Sequence, residues 1–347
     1  MNGRVFGTKR CAEEKNQSGT DLQKSSRRFH GAQSKKTRHG IQVQRCLPVS
    51  PATARRSALS LKSFAYRSAP IFALSVVCLL AQPALALSCV WRVTGPSGGT
   101  LYLGGSIHAL RSSDYPLPAA YNRAFDASSH LVFEDDPKVS SEATKDLLRA
   151  GTYPKGDNLK RHVDPRTYGY IRRFFALVNV PEDKFAKYRP WLINLVLSSP
   201  SSEHWQLGIE PYLTRRAAAN SKPVSGLESP KEHNGVFVDL NDREAEALLL
   251  ILFINAGHEG SPGPNIIGLW RGGDADALNR LLQDSFRDFP SLGRRIIDVR
   301  NRNWLPKIEG YLRSGHTYFV VVGAGHLGGP NGLLALLRAR GYKIEQL

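Results

Sequence analysis

Cysteine is scarce in this chain: there are four in 347 residues, Cys11, Cys46, Cys78 and Cys89. Only Cys89 follows residue 86, so the region beyond it can form neither an internal disulfide nor a thiolate zinc site. Methionine occurs once, at position 1. The apolar run Ile71–Leu80 is too short to span a bilayer. Gly323-Ala324-Gly325-His326-Leu327-Gly328-Gly329 is glycine-rich, but it lacks the Lys-Ser/Thr of a P-loop and the spacing of a dinucleotide fingerprint. Ser106 lies in no Gly-x-Ser-x-Gly elbow, so nothing beyond position marks it as a nucleophile.

Charge is present but unevenly placed. The net of +17 comes from 47 Lys and Arg against 30 Asp and Glu. Fifteen of those bases and only three of the acids lie before residue 87, which leaves about +5 on the remainder. Residues 1–66 read as a basic leader, disordered or upstream of the true start. A start near Leu59 or Leu61 would then use a non-Met codon. Over 67–86, Arg67, the apolar run and Gln82-Pro83-Ala84-Leu85-Ala86 form a secretory signal with a cut after Ala86. That order argues against nucleic acid as the partner of the basic leader. It places residues 87–347 in the periplasm or outside the cell, with no membrane span. Lipid attachment at Cys89 is the minor alternative; Ala86 is a poor lipobox residue.

The exported part is large enough for one full core. Cys89–Thr94 and Thr100–Gly104 predict a hairpin across Gly95–Gly99. A helix follows near 119–126, then a short strand at His130–Glu134. Helical patterns dominate at 140–150, 165–178, 181–198 and 208–220. Lys222–Glu228 reads as another strand, and helices resume at 241–256, 273–287 and 293–313. In Thr317–Val322 every residue is β-branched or aromatic, the strongest strand signal in the chain. A helix at 330–340 and a strand at 342–346 close it. Strands alternating with helices at both ends predict an α/β fold: a mixed, mostly parallel sheet flanked by helices, with a helical insertion.

Two strands run into Gly-x-x-His, Gly105-Ser106-Ile107-His108 and Gly323-Ala324-Gly325-His326. Two more end in acid, at Glu134 and Glu228. In a mostly parallel sheet such ends share one edge, where α/β folds place ligands. Two imidazoles with one or two carboxylates suit a hydrolytic divalent metal, a spare carboxylate serving as base. The same residues also read as turn caps and solvated strand ends. Arg300 and Asn301, in Arg300-Asn301-Arg302-Asn303-Trp304, could bind a carboxylate or polarise a carbonyl. An ordinary basic surface helix with Trp304 in the core fits that segment equally well.

With these segments in view, the chain resembles the TraB/GumN family, related to the Tiki metalloproteases. The resemblance covers roughly 90–347. It is carried by Asp298-Val299-Arg300-Asn301-Arg302-Asn303-Trp304, Val321-Val322-Gly323-Ala324-Gly325-His326, Gly105-Ser106-Ile107-His108, Phe133-Glu134, Pro190-Trp191, Gly208-Ile209-Glu210 and Gly226-Leu227-Glu228. Glu210 stands where the family is expected to have aspartate. The resemblance implies two similar α/β halves, each contributing one Gly-x-x-His, and a divalent-metal hydrolase or peptidase. His108, His326 and Glu134 are then the metal ligands, Mn²⁺ or Co²⁺ favoured and Zn²⁺ also suitable. Glu134, Glu228, Arg300 and Asn301 carry the chemistry on a peptide or protein substrate. The rival readings are a non-catalytic periplasmic binding protein for haem, metal or glycan, and an envelope or polysaccharide assembly factor.

Overall fold

The computed structural model describes residues 87–347 except 109, 137–140, 200–205 and 257–264. The leader, the signal segment and the cut after Ala86 lie outside the described residues. Six strands form one sheet: β1 Val90–Thr94, β2 Thr100–Ser106, β3 His130–Asp135, β4 Val224–Glu228, β5 Tyr318–Gly323 and β6 Lys343–Gln346. Their order across the sheet is β4-β3-β5-β2-β1-β6. β5 runs parallel to both β2 and β3, and β3 runs parallel to β4. β1 is antiparallel to β2 and to β6. The two ends of the chain thus interleave: β5, from the last thirty residues, lies between β2 and β3.

The helices are α1 Ala119–Ala127, α2 Ser141–Ala150, α3 Pro165–Leu177, α4 Glu182–Phe185, α5 Pro190–Ser198, α6 Ile209–Ala219 and α7 Pro230–Val238. They continue with α8 Asp242–Ala256, α9 Ile266–Gly272, α10 Ala275–Ser285, α11 Pro290–Gly293, α12 Arg300–Arg313 and α13 Leu333–Ala339. No helix among the described residues is long and apolar enough to cross a membrane.

Hydrophobic burial has two centres. Phe319, Val320, Val321 and Val322 of β5 are all buried, as expected of a parallel strand covered on both faces. They join Leu101, Leu103, Tyr121, Trp270 and Trp304 in the core around the sheet. The insertion packs its own core from Phe175, Phe185, Trp191, Ile193 and Leu249. There the Phe175 and Phe185 rings stack with centroids 4.4 Å apart. The sheet core permits close approach at Gly105, where a Cβ would run into Cys89 Sγ and Ala324. Cys89 itself is fully buried, and burial pushes its thiol up to about 12. A lipid at that sulfur would require the start of β1 to unpack.

Three helical readings change. The single helix expected over 181–198 is two, α4 and α5, with extended backbone at Arg189 (ψ 150°) before Pro190. Proline lacks the N–H that would continue α4 and disfavours α geometry in the residue before it. α7 and α9 are additional. α7 carries a legible start signal, the capping box between Ser229 and Glu232. The helix expected over 293–313 enters through a π-helical turn, Arg294–Val299, before α12 begins.

Candidate functional site

β3, β4 and β5 deliver their C-terminal residues to one edge, and α12 crosses that edge with its first turn. Glu134 of β3, Glu228 of β4, Arg300 and Asn301 of α12, and His326 just after β5 converge there. Arg300 is buried at their centre. Its Nε and Nη2 donate to the two oxygens of Glu228 at 2.9 and 2.8 Å, and Nη2 also donates to Glu134 Oε2 at 2.8 Å. The guanidinium lies 4.7 Å from the centre of the Trp304 ring, whose Nε1 donates to Glu228 Oε1 at 2.9 Å.

Glu134 Oε1 accepts the Gly323 N–H at 2.6 Å. A side chain at Gly323 would crowd that oxygen, since its Cβ would lie 3.2 Å from Oε1. Burial alone would raise both carboxyls. Arg300, with Gly323 for Glu134 and His233 for Glu228, more than offsets it, and both sit well below the usual carboxylate range.

His326 is 6% exposed. Burial lowers its pKa to about 4, so the ring is neutral at physiological pH. Its Nδ1 donates to Asn301 Oδ1 at 2.7 Å. The Asn301 amide is itself oriented by donating to the carbonyls of His326 and Asn331, at 3.2 and 2.9 Å. Asn331 Nδ2 in turn donates to Asp298 Oδ2 at 3.0 Å. The chain of bonds leaves Nε2 as the lone-pair nitrogen. It faces Glu134 Oε1 at 3.8 Å, with Arg300 Nη1 as a long donor at 3.5 Å.

His108 stands apart from this cluster. Its Nδ1 pairs with Glu210 Oε1 of α6 at 3.3 Å, its side chain 57% exposed. The bond to Glu210 raises its pKa. Burial would raise the Glu210 carboxyl, but the bond to His108 holds it low, and neither Ser106 Oγ nor Glu210 Oε2 completes a hydrogen bond. His108, Glu134, Arg300 and His326 nevertheless line one cavity of about 990 Å³, at the upper end of ligand-pocket sizes.

Of the residues singled out in the sequence, Glu134, Glu228, Arg300, Asn301 and His326 are therefore brought together, and His108 shares their cavity from the Glu210 side. Among the described residues no three or more His, Cys, Asp or Glu side chains are already clustered for an ion. Two donor atoms nevertheless face each other on the cavity floor. Arg300 holds Glu134 and Glu228 in their ionised forms, and His326 beside them is neutral. Nε2 of His326 and Oε1 of Glu134 present lone pairs to each other, and Asn301 holds the far ring nitrogen as outer-shell partners of metal-bound histidines do. Sequence reasoning missed Glu210 as the partner of His108, and Asp298 and Asn331 as supports of Asn301. Asp298 sits inside the Asp298–Trp304 segment, a signal that points to it; Asn331 carries none.

No curated protein and no solved structure matches the chain. The TraB/PrgY/gumN family model matches residues 89–346, which takes in the whole sheet and every residue of the site, and the chain belongs to that family.

Proposed function

We propose that the chain is an exported, divalent-metal-dependent hydrolase acting on peptide bonds in the periplasm or just outside it. One observation carries the reading: a neutral His326 Nε2 and an ionised Glu134 Oε1 face each other at 3.8 Å on the floor of a large cavity. His326, Glu134 and His108 are the residues that would hold the ion, Mn²⁺ or Co²⁺ ahead of Zn²⁺ for an oxygen-rich set. When bound, the metal supplies Lewis-acid polarisation of a carbonyl and a water of lowered pKa.

The remaining work falls to the chain's own groups. Asn301 keeps the His326 proton on Nδ1. Arg300 holds two buried carboxylates ionised and orients Glu134. Glu228, one of the acids read as a candidate base or further ligand, has its oxygens engaged by Arg300, Trp304 and His233, so it anchors the guanidinium. Glu134 is the carboxylate of the two that faces the cavity. The Glu210–His108 pair can take or give a proton at the cavity's other side.

The test is metal content and thermal shift on the exported chain, purified without chelator, beside a His108→Ala/His326→Ala double variant. Near-stoichiometric metal in the parent and none in the variant supports the reading. An excess of 100 Kd should stabilise the parent by about 2.7 kcal/mol. No bound metal, and no shift with Mn²⁺, Co²⁺ or Zn²⁺, sinks it.

A further inference from the structure

The cavity that holds His108, Glu134, Arg300 and His326 has a second wall of different chemistry. Ile251 of α8, Ile266 of α9, Leu281 and Leu282 of α10, and Phe289 and Ile296 beyond it all line the same space. The surrounding core does not account for all of them. Ile251 belongs to the insertion's core, and Leu282, Phe289 and Ile296 pack against it in part, whereas Ile266 and Leu281 join neither core. Ile266 remains 43% exposed, and Leu281, Leu282, Phe289 and Ile296 are only half-buried. An apolar wall of this extent, joined to a polar floor, is more hydrophobic surface than a solvated cleft requires.

Charge narrows what can rest on it. The rim beside the wall carries Asp284 and Asp288 against one Arg287. A carboxylate placed along the wall would face that acidic rim, which disfavours acidic side chains and free fatty acids alike. A neutral apolar group meets no such penalty.

We infer that the wall is a specificity subsite for a bulky aliphatic or aromatic side chain next to the peptide bond that the floor addresses. The inference rests on the hydrolase reading above for its choice of a peptide. The side chain lies against Leu281, Leu282 and Ile266, and the backbone beside it passes over Glu134 and His326.

The experiment measures binding and cleavage separately on the exported chain. Capped hexapeptides that differ at one central position, Leu, Phe, Ala, Asp or Lys, are titrated calorimetrically without added metal, with dodecanoate as an acyl probe. Cleavage of the same peptides is then followed with Mn²⁺ or Co²⁺. The Leu and Phe peptides should bind at least ten-fold more tightly than the Ala and Asp peptides. Leu281→Asp should abolish that preference. Ile266→Ser, at a half-open position that the fold tolerates, should reduce it several-fold.

Equal binding across the series, no peptide binding at all, or a preference unmoved by both variants overturns the inference. So does dodecanoate bound as tightly as the Leu peptide, which would assign the wall to acyl chains. Selective binding with no cleavage leaves the subsite standing and removes the hydrolase reading. Cleavage without preference does the reverse.

Discussion

His326 Nε2 faces Glu134 Oε1 at 3.8 Å, two atoms that both present lone pairs. That arrangement depends on the opposite side of the ring, where Asn301 accepts from Nδ1 and donates to two backbone carbonyls. The relationship sets what the site presents: an imidazole fixed as an acceptor beside an ionised carboxylate.

Asn301 is fully buried, so its removal strands partners that water cannot reach. Asn301→Leu leaves the His326 Nδ1–H and the carbonyls of His326 and Asn331 without their bonds. At roughly 1–3 kcal/mol for each buried group left unsatisfied, the loss should be at least about 3 kcal/mol in urea unfolding at pH 7. The long-range ¹⁵N spectrum of His326 should pass from one tautomer to a mixture. A variant within about 0.5 kcal/mol of the parent, its tautomer unchanged, would remove Asn301 from this role.

Arg300 is the only strong cation within reach of Glu134 and Glu228 among the described residues. Both carboxylates have depressed pKa values, so their contribution to stability is present above the unfolded carboxyl range and is lost as pH falls through the folded values. In Arg300→Met, burial dominates and raises both, and the dependence reverses: stability falls as pH rises above about 4.5. The parent-minus-variant difference should therefore widen from pH 4.5 to 7.5 and reach about 3–5 kcal/mol. A constant difference across that interval counts against the buried charge balance.

Much of this edge is legible in the sequence because a β-strand that ends in glycine or acid declares where its next side chain goes. Strands β3, β4 and β5 and the placement of Glu134, Glu228 and His326 follow from that pattern alone. The sequence leaves Arg300 and Asn301 equally readable as part of a basic surface helix, and the structure buries both. The partners are illegible, for a physical reason: Glu210 meets His108, and Asn331 meets Asn301, through packing of α6 and of the turn after β5, which no local period encodes. The π-helical turn before Arg300 is equally silent. Its residues, Arg294–Val299, read as ordinary helix, yet Asp298 and Arg300 on either side of Val299 are both buried.

The Glu210–His108 pair competes with any ion for the same imidazole. Glu210 raises the His108 pKa, and a ligand histidine must be neutral. Glu210→Gln should lower that pKa and increase the thermal shift given by Mn²⁺ or Co²⁺ at pH 6.5, while His108→Ala should diminish it. Shifts that are the same in both variants and the parent would exclude His108 from the ligand set without touching His326 or Glu134.

Far from the edge, His162 ties together two parts of the helical insertion. Its Nε2 meets Asp157 at 2.8 Å and its Nδ1 meets Asp242, at the start of α8, at 2.7 Å. The ring stacks on Tyr153 with centroids 4.4 Å apart, Arg189 covers Tyr153 at 4.8 Å, and Arg161 approaches Asp157 at 4.0 Å. Bonding to Asp242 and then Asp157 raises the His162 pKa above its ordinary value. A raised histidine contributes stability that is complete below its unfolded pKa, about 6.5, and is lost as pH rises through the folded value. The melting temperature of the parent should therefore exceed that of His162→Gln most clearly near pH 6, and the gap should close toward pH 9. Added salt should narrow it as well, since all three side chains are partly exposed. A gap that is flat from pH 6 to 9 would show that His162 acts by packing on Tyr153 and not by its charge.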